Sequence, residues 1–276
     1  MIDNLMPLAD YHIHPDFSFD AEGTIDEFCE TAIKKGLTEI CFTTHYDTDP
    51  RLPEHHRKMR INGELVPVTI DNFGAYITAV AKAADKYIGR ELMVQCGIEV
   101  GYFPGCEDEI RELFNKYDFH YKIGSVHQVA EIDICNEKSM KSARSQYNLN
   151  QFADMVFEDL IKSAECGLFS VLGHIDMYKK YGLQVYGDKI SDIHNGRLDR
   201  LFQAMSESGC GLEINTAFIR KGFAEYYPSM AIINAARSAG VHIIAVGSDA
   251  HRPDEIACDF EGAIGVAYEL LPYRGE

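Results

Sequence analysis

ADYHIHPDFSFDA, residues 9–21, closes a short apolar run on two histidines, His12 and His14, and carries Asp20 six positions further on. In a strand, residues i and i+2 share a face, so the two imidazoles can meet one cation. Taken alone, the pair reads equally well as two solvated side chains on an edge strand. What decides is whether an apolar β-type run ending in a metal-competent side chain recurs elsewhere.

It recurs along the whole chain. Runs of β character lie at 7–14 (PLADYHIH), 39–45 (EICFTTH), 92–100 (LMVQCGIEV), 121–127 (YKIGSVH), 169–176 (FSVLGHID), 211–216 (GLEINT) and 242–251 (HIIAVGSDAH). Helical patterns separate them, expected at 24–36, 73–89, 107–117, 150–166, 193–208, 229–239 and 254–270. The first opens with Thr24 and Glu27 as a capping box, lines Ile25, Phe28, Cys29, Ala32 and Ile33 along one face, and stops at Gly36. The second places Tyr76, Ile77, Val80, Ala84, Tyr87 and Ile88 on one face. Asn150 and Ser229 read as N-caps of later helices.

Nearly continuous hydrophobic strands alternating with helices imply a mostly parallel sheet covered on its outer face. Alternation alone leaves an open doubly wound sheet and a closed barrel both standing. The strand ends favour the barrel. His12 and His14, His45, Glu99, His127, His174, Asn215, and Asp249 with His251 all stand where an apolar run stops. In an open sheet these ends would be scattered, whereas in a (β/α) barrel they ring one mouth. The expected fold is a distorted, TIM-like (β/α)7 barrel forming a single domain over residues 1–276.

Composition narrows the function. The 276 residues carry a formal charge of −17, which disfavours nucleic acid and anionic membranes as partners but not small phosphates. The eight cysteines are dispersed without a CxxC pair and read as small buried hydrophobes in a reducing compartment. MIDNLMPLADY lacks the basic start and apolar core of a signal peptide, and no 18-residue apolar stretch exists, so a cytoplasmic location is expected. Of eleven histidines, six end apolar strands, accompanied there by Glu99 and Asp249. Six imidazoles and two or three carboxylates exceed the needs of one tetrahedral ion. They suffice for two or three ions of zinc, iron or manganese if a carboxylate such as Glu99 bridges.

HIHPDFSFD, TTH, GIEVGYFPG, IGSVH, GHID, EINT and GSDAHRP follow one another in this order. Over roughly residues 9–255 they resemble the polymerase-and-histidinol-phosphatase family, in its histidinol-phosphate phosphatase branch. The resemblance implies a distorted seven-stranded barrel with up to three divalent ions. By motif it implies His12, His14, Glu99 and Asp249 around one ion, and Glu99, His127 and His174 around a second, with Glu99 bridging. Asp20, His45 and His251 are implied around a third. Many members carry histidine where Asp20 stands, which implies a shift in metal preference, and Asp16 is the rival for that place.

EINTAFIRKG puts Arg220 where the branch has an arginine that contacts substrate phosphate, a role that suits its planar fork of donors. A surface cation beside Lys221 is the alternative. Lys179 and Lys180, just after GHID, are a second candidate phosphate contact, with solvated loop charges as the alternative. The expected reaction is hydrolysis of a phosphomonoester, L-histidinol phosphate before other small phosphates, by a hydroxide held between two ions. Glu99, Asp249 and Arg220 carry the catalysis in this reading. His194 and a metal-bound water are the candidate proton donors to the leaving group. A non-catalytic metal-binding domain is the contrasting possibility, and the oligomeric state is open. His55 and His56 fall in a long charged connection that reads as a lid over the mouth or as a solvated loop.

Overall fold

The computed structural model describes residues 8–269. Seven strands form the ring of the barrel: β1 (Ala9–Ile13), β2 (Glu39–Phe42), β3 (Met93–Gly101), β4 (Tyr121–Ser125), β5 (Val171–Leu172), β6 (Gly211–Asn215) and β7 (Ile243–Gly247), and a short segment, His45–Tyr46, also pairs with β3. Each pairs in parallel with the next in chain order. The ring is nearly closed by a parallel bridge between Ile13 and Ala250, where the His14 amide donates to the Ala250 carbonyl at 2.8 Å. The barrel is therefore the fold, and the open sheet is not.

Side-chain alternation explains how one short sequence serves two environments. Ile40 and Phe42 on β2, and Val94, Ile98 and Val100 on β3, face outward into the main core under the helices. The alternate residues face the lumen. Cys41, Tyr121, Ile123 and Val171, with Tyr11 and Ala245 against them, form a separate apolar cluster drawn from five strands around the ring. Such strands can meet only inside the barrel. Ser125 shares the inward parity of Tyr121 and Ile123 on β4, while Glu99 alternates with the outward Ile98 and Val100 on β3, and Glu213 follows the outward Leu212 on β6.

The outer layer comprises α1 (Ile25–Lys34), α2 (Ile70–Tyr87), α3 (Glu107–Lys116), α4 (Glu137–Gln146), α5 (Leu149–Glu165), α6 (Lys179–Tyr186), α7 (Leu198–Ser208), α8 (Ala217–Arg220), α9 (Met230–Ser238) and α10 (Phe260–Glu269). The capping box of α1 is present in both directions between Thr24 and Glu27, and Ile25, Phe28, Cys29 and Ala32 are its buried face. Complete burial of a side chain such as Phe28 stabilises by about 1.5–3 kcal/mol.

Several boundaries differ from expectation. The N-cap of α5 is Asn148, with Gln151 completing its capping box, so Asn150 lies inside the helix. Ser229 precedes α9 but its side chain caps nothing; its amide instead donates to Asp176 Oδ2 at 2.9 Å. Ile88 follows the last turn of α2 and is 78% exposed, because the buried face ends at Tyr87. The run at 169–176 contributes only Val171–Leu172 to the sheet, since Gly173 and His174 turn out of it toward the mouth. Helices α4, α6 and α8 were not foreseen: α4 lies in a polar stretch with few apolar residues, and α6 and α8 are short. The last helix starts at Phe260, after a short 3-10 turn at Pro253–Glu255. Pro7 and Leu270, outer ends of two expected elements, lie outside the described residues. All eight cysteines are free. Among the described residues, no helix is long and apolar enough to cross a membrane.

The connection between β2 and α2 is ordered. A 3-10 turn at Glu54–Arg57 leads into an antiparallel hairpin of Lys58–Ile61 and Glu64–Pro67. From it the Arg60 guanidinium donates to the carbonyls of Asp16, Ser18, Phe19 and Ala21 at 2.9–3.3 Å. The loop that carries Asp20 is thus tied down by one side chain.

Candidate metal centre

The nine candidate ligands meet at the C-terminal mouth, with Glu99 in the middle. Its Oε2 lies 3.4 Å from Nε2 of both His12 and His14 and 2.9 Å from His45 Nδ1. Its Oε1 lies 2.8 Å from His174 Nε2 and 3.3 Å from His127 Nε2. Asp249 Oδ1 faces His14 Nε2 at 3.4 Å and His12 Nε2 at 3.8 Å. Asp20 approaches His251 Nε2 at 3.4 Å and His45 Nε2 at 3.7 Å. Asp16 is not part of this cluster; it lines a surface groove beside Arg60 and Lys82.

Local backbone geometry aims these side chains. His45 and Tyr46 pair in register with Glu99 and Val100, which sets His45 beside the carboxylate. His174 (φ 26°) and Asp249 (φ 52°) both adopt left-handed backbone, turning their side chains into the mouth. Such conformations cost free energy in non-glycine residues and collect at functional sites.

Burial opposes charge at Glu99, His12, His45 and His127, yet mutual attraction prevails at each. Burial would raise the Glu99 carboxyl, but His12, His45 and His127 hold it well below its ordinary value. Burial likewise lowers His45, and Glu99 and Asp20 overcome it, lifting the imidazole to about 9. His12 and His127 move upward for the same reason. His14 goes the other way: it is buried, and its ring stacks between those of His45 and His251 at 4.1 and 4.3 Å, whose charges repel its own.

The residues fit divalent cations. Nε2 of His12, Nε2 of His14, Nδ1 of His45 and Oε2 of Glu99 are buried without a hydrogen-bond partner, and all four converge on one region. Unpaired buried polar atoms are costly and rare. Nitrogen and carboxylate donors aimed at a shared point, with no thiolate among them, match zinc, iron or manganese.

The model of the PHP domain matches residues 10–217. The chain belongs to the PHP domain family. It is 30% identical, over 93% of its length and 91% of the relative's, to a probable histidinol-phosphatase of Deinococcus radiodurans. It is 25% identical to the histidinol-phosphatase of Bacillus subtilis, covering 98% of this chain and all of that one. The crystal structure of histidinol phosphate phosphatase from Lactococcus lactis, complexed with zinc, L-histidinol and phosphate, superposes with a TM-score of 0.75 at 19% identity, covering 95% of this chain and 93% of that one.

In this PHP domain the cations flanking the centre differ in status. Arg220 lies at the mouth, where its Nη atoms donate to the carbonyls of Ser248 (2.6 Å) and Asp249 (2.9 Å) and its Nε lies 3.5 Å from Glu255. Lys179 is no solvated loop charge: it is 2% exposed and its ammonium sits 2.9 Å from Asp176 and 3.1 Å from Glu225. That is a buried ion pair, its ammonium engaged by two carboxylates. Lys180 is half-buried; burial lowers its ammonium pKa, and surrounding charges, Asp249 among them, raise it beyond its ordinary value. Lys221, passed over as a mere neighbour of Arg220, is exposed and follows α8 directly. His194 lies in the turn before α7; among the described residues it shares no ion pair or ring contact with the PHP cluster.

Four further residues serve the PHP centre without having been singled out in the sequence. Asp47 Oδ1 lies 3.2 Å from His127 Nδ1, in space left by Gly101, where a methyl group would collide with that carboxylate. Glu213 Oε1 lies 2.7 Å from His12 Nδ1. Ser125 donates to Glu99 Oε1 at 2.6 Å, and Arg60 ties down the Asp20 loop. The HIHPDFSFD and HHR segments also meet: the Phe19 ring stacks on His56 at 4.9 Å, so His55 and His56 form a wall beside the mouth and not a free loop. Their signal in the sequence was weak, because carboxylates inside or just after strands read as strand ends or solvated charges.

Proposed function

We propose that this protein is a metal-dependent phosphomonoesterase that hydrolyses L-histidinol phosphate, releasing L-histidinol and phosphate in histidine biosynthesis. The observation that carries this reading is the gathering of eight imidazole and carboxylate side chains about Glu99, with unpaired donor atoms directed inward. The names of the full-length relatives support the substrate, and the zinc, histidinol and phosphate held by the Lactococcus protein support the site.

His12, His14, Glu99 and Asp249 would hold one ion, Glu99, His127 and His174 a second, and Asp20, His45 and His251 a third. That the two oxygens of Glu99 face different histidine groups supports its bridging role. Five carboxylates, Asp20, Asp47, Glu99, Glu213 and Asp249, gather at the cluster, a negative charge that divalent ions would offset. Such ions supply Lewis acidity toward phosphoryl oxygens and acidify water.

The chain's own residues supply the rest. Arg220 fixes the Ser248–Asp249 backbone and borders the phosphate position. Lys180 and Lys221 place positive charge on the same side, where it attracts a phosphate dianion and stabilises charge gathering on its oxygens. The strand ends bury the centre and limit water. A reducing cytoplasmic location accords with eight free cysteines.

Phosphate release from L-histidinol phosphate by purified protein tests this reading. Release should stop on chelation and return on adding zinc, iron or manganese. Release that persists unchanged after exhaustive chelation contradicts it.

A further inference from the structure

Glu213 stands apart from the nine proposed ligands, yet it makes the shortest side-chain contact to any of the six histidines among them. Its Oε1 lies 2.7 Å from Nδ1 of His12, on the opposite edge of the ring from Nε2, which faces Glu99 at 3.4 Å and Asp249 at 3.8 Å. Glu213 is 1% exposed, inside the lumen. Asn215 is oriented by accepting from the Ala217 amide at 2.9 Å, which leaves its Nδ2 to donate to the same Glu213 oxygen at 3.1 Å. The barrel is shaped around this arrangement. A methyl group on Gly247 would collide with both Glu213 Oε1 and His12 Cβ, and one on Gly173 would come within 3.2 Å of Glu213 Oε2.

A carboxylate in such a place costs several kcal/mol to desolvate unless it is paired. Among the described residues its one titratable partner within hydrogen-bond distance is His12. A histidine that binds a cation through one nitrogen is oriented, and made more basic, by an acceptor at the other. Here that acceptor is on a different strand, β6, from the histidine it serves, β1.

We propose that Glu213 is a positioning residue for the metal centre. It accepts the Nδ1–H of His12, fixes the tautomer that leaves Nε2 unprotonated, and holds that lone pair toward Glu99 and Asp249. The proposal rests on the metal reading above, and its test does not depend on turnover. Glu213→Leu removes the acceptor. Glu213→Gln keeps an amide oxygen of the same shape but no charge.

Zinc affinity of the full-length protein, measured by competition with a chromogenic chelator, should fall about 10- to 100-fold in Glu213→Leu. Glu213→Gln should fall less and retains the shape of the site if the leucine variant does not fold. Excess zinc should restore most of the lost kcat in both, with KM for L-histidinol phosphate unchanged, a pattern that a role in packing alone would not produce. Wild-type zinc affinity in the folded variants overturns the proposal. A wild-type protein that holds no zinc, iron or manganese overturns the metal reading itself, so the two failures are told apart.

Discussion

His45 Nδ1 lies 2.9 Å from Glu99 Oε2, and the backbone puts it there, because His45 pairs in register with Glu99 across neighbouring strand segments. The contact is therefore inherited from sheet register and not from a chance side-chain rotamer. A slip of one residue would turn the imidazole to the opposite face. The same register brings Glu99 within reach of His127 and His174 on its other oxygen.

Replacing that central carboxylate should be the most damaging single change. Glu99→Gln leaves five buried imidazoles facing an uncharged amide, and removing one partner from a buried ionic cluster costs about 3–5 kcal/mol. Metal content should drop and turnover should fall by at least ~10²-fold. Plasma mass spectrometry of the purified variant, beside its kcat, checks both. His127→Ala should likewise abolish hydrolysis while circular dichroism shows the fold retained; unchanged turnover in that variant would sink the ligand assignment.

The stripped protein should show a particular pH dependence. His45 titrates at about 9 in the fold, and His12 and His127 are raised as well, against about 6.5 in an unfolded chain. A base with a raised folded pKa contributes stability that is complete below the unfolded value and is lost as pH climbs through the folded one. The melting temperature of chelated protein should therefore fall between pH 6.5 and 9.5, and saturating zinc should flatten the curve. Zinc affinity should rise across the same window, since the ion competes with protons for these imidazoles. A melting temperature that climbs with pH in the chelated protein contradicts this.

Arg220 is expected to affect more than substrate binding. Its two bonds to the Ser248 and Asp249 carbonyls hold the left-handed turn that presents Asp249. Lysine cannot make that fork, and a misplacement of about 1 Å at a reacting centre costs on the order of 100-fold in rate. Arg220→Lys should lower kcat and zinc content together. If steady-state kinetics show a raised KM alone, with metal content intact, Arg220 is a phosphate contact and does not position the turn.

Lys179 should behave as a structural residue. Lys179→Met strands Asp176 in the interior, and the loss of a buried pair's partner costs about 3–5 kcal/mol. Denaturant unfolding should show that loss, while KM for L-histidinol phosphate stays within twofold of the wild type. A large KM effect at unchanged stability would return Lys179 to the phosphate site.

The barrel and the clustering of the candidate ligands were legible because both depend on strand ends, where an apolar run stops at a histidine or acid. His12, His45 and His127 are recognisable in that way. Asp20 against Asp16 was not separable by spacing; the loop that brings Asp20 near His45 and His251 is held by Arg60, which comes from a hairpin far along the chain. Glu213 and Asp47 escaped notice because their meaning lies in a histidine on another strand and in glycines that leave them room. Lys179 was misjudged because a lysine after a turn is ordinarily solvated, and its partner Glu225 is remote in sequence. Long-range pairing, and not local propensity, set the limit.

The most direct test of the central claim is kcat/KM for L-histidinol phosphate beside that for p-nitrophenyl phosphate and a nucleoside monophosphate, on zinc-loaded protein. A preference of at least tenfold for L-histidinol phosphate, lost on chelation, is the predicted result. Turnover of L-histidinol phosphate no faster than that of the aryl phosphate would contradict it.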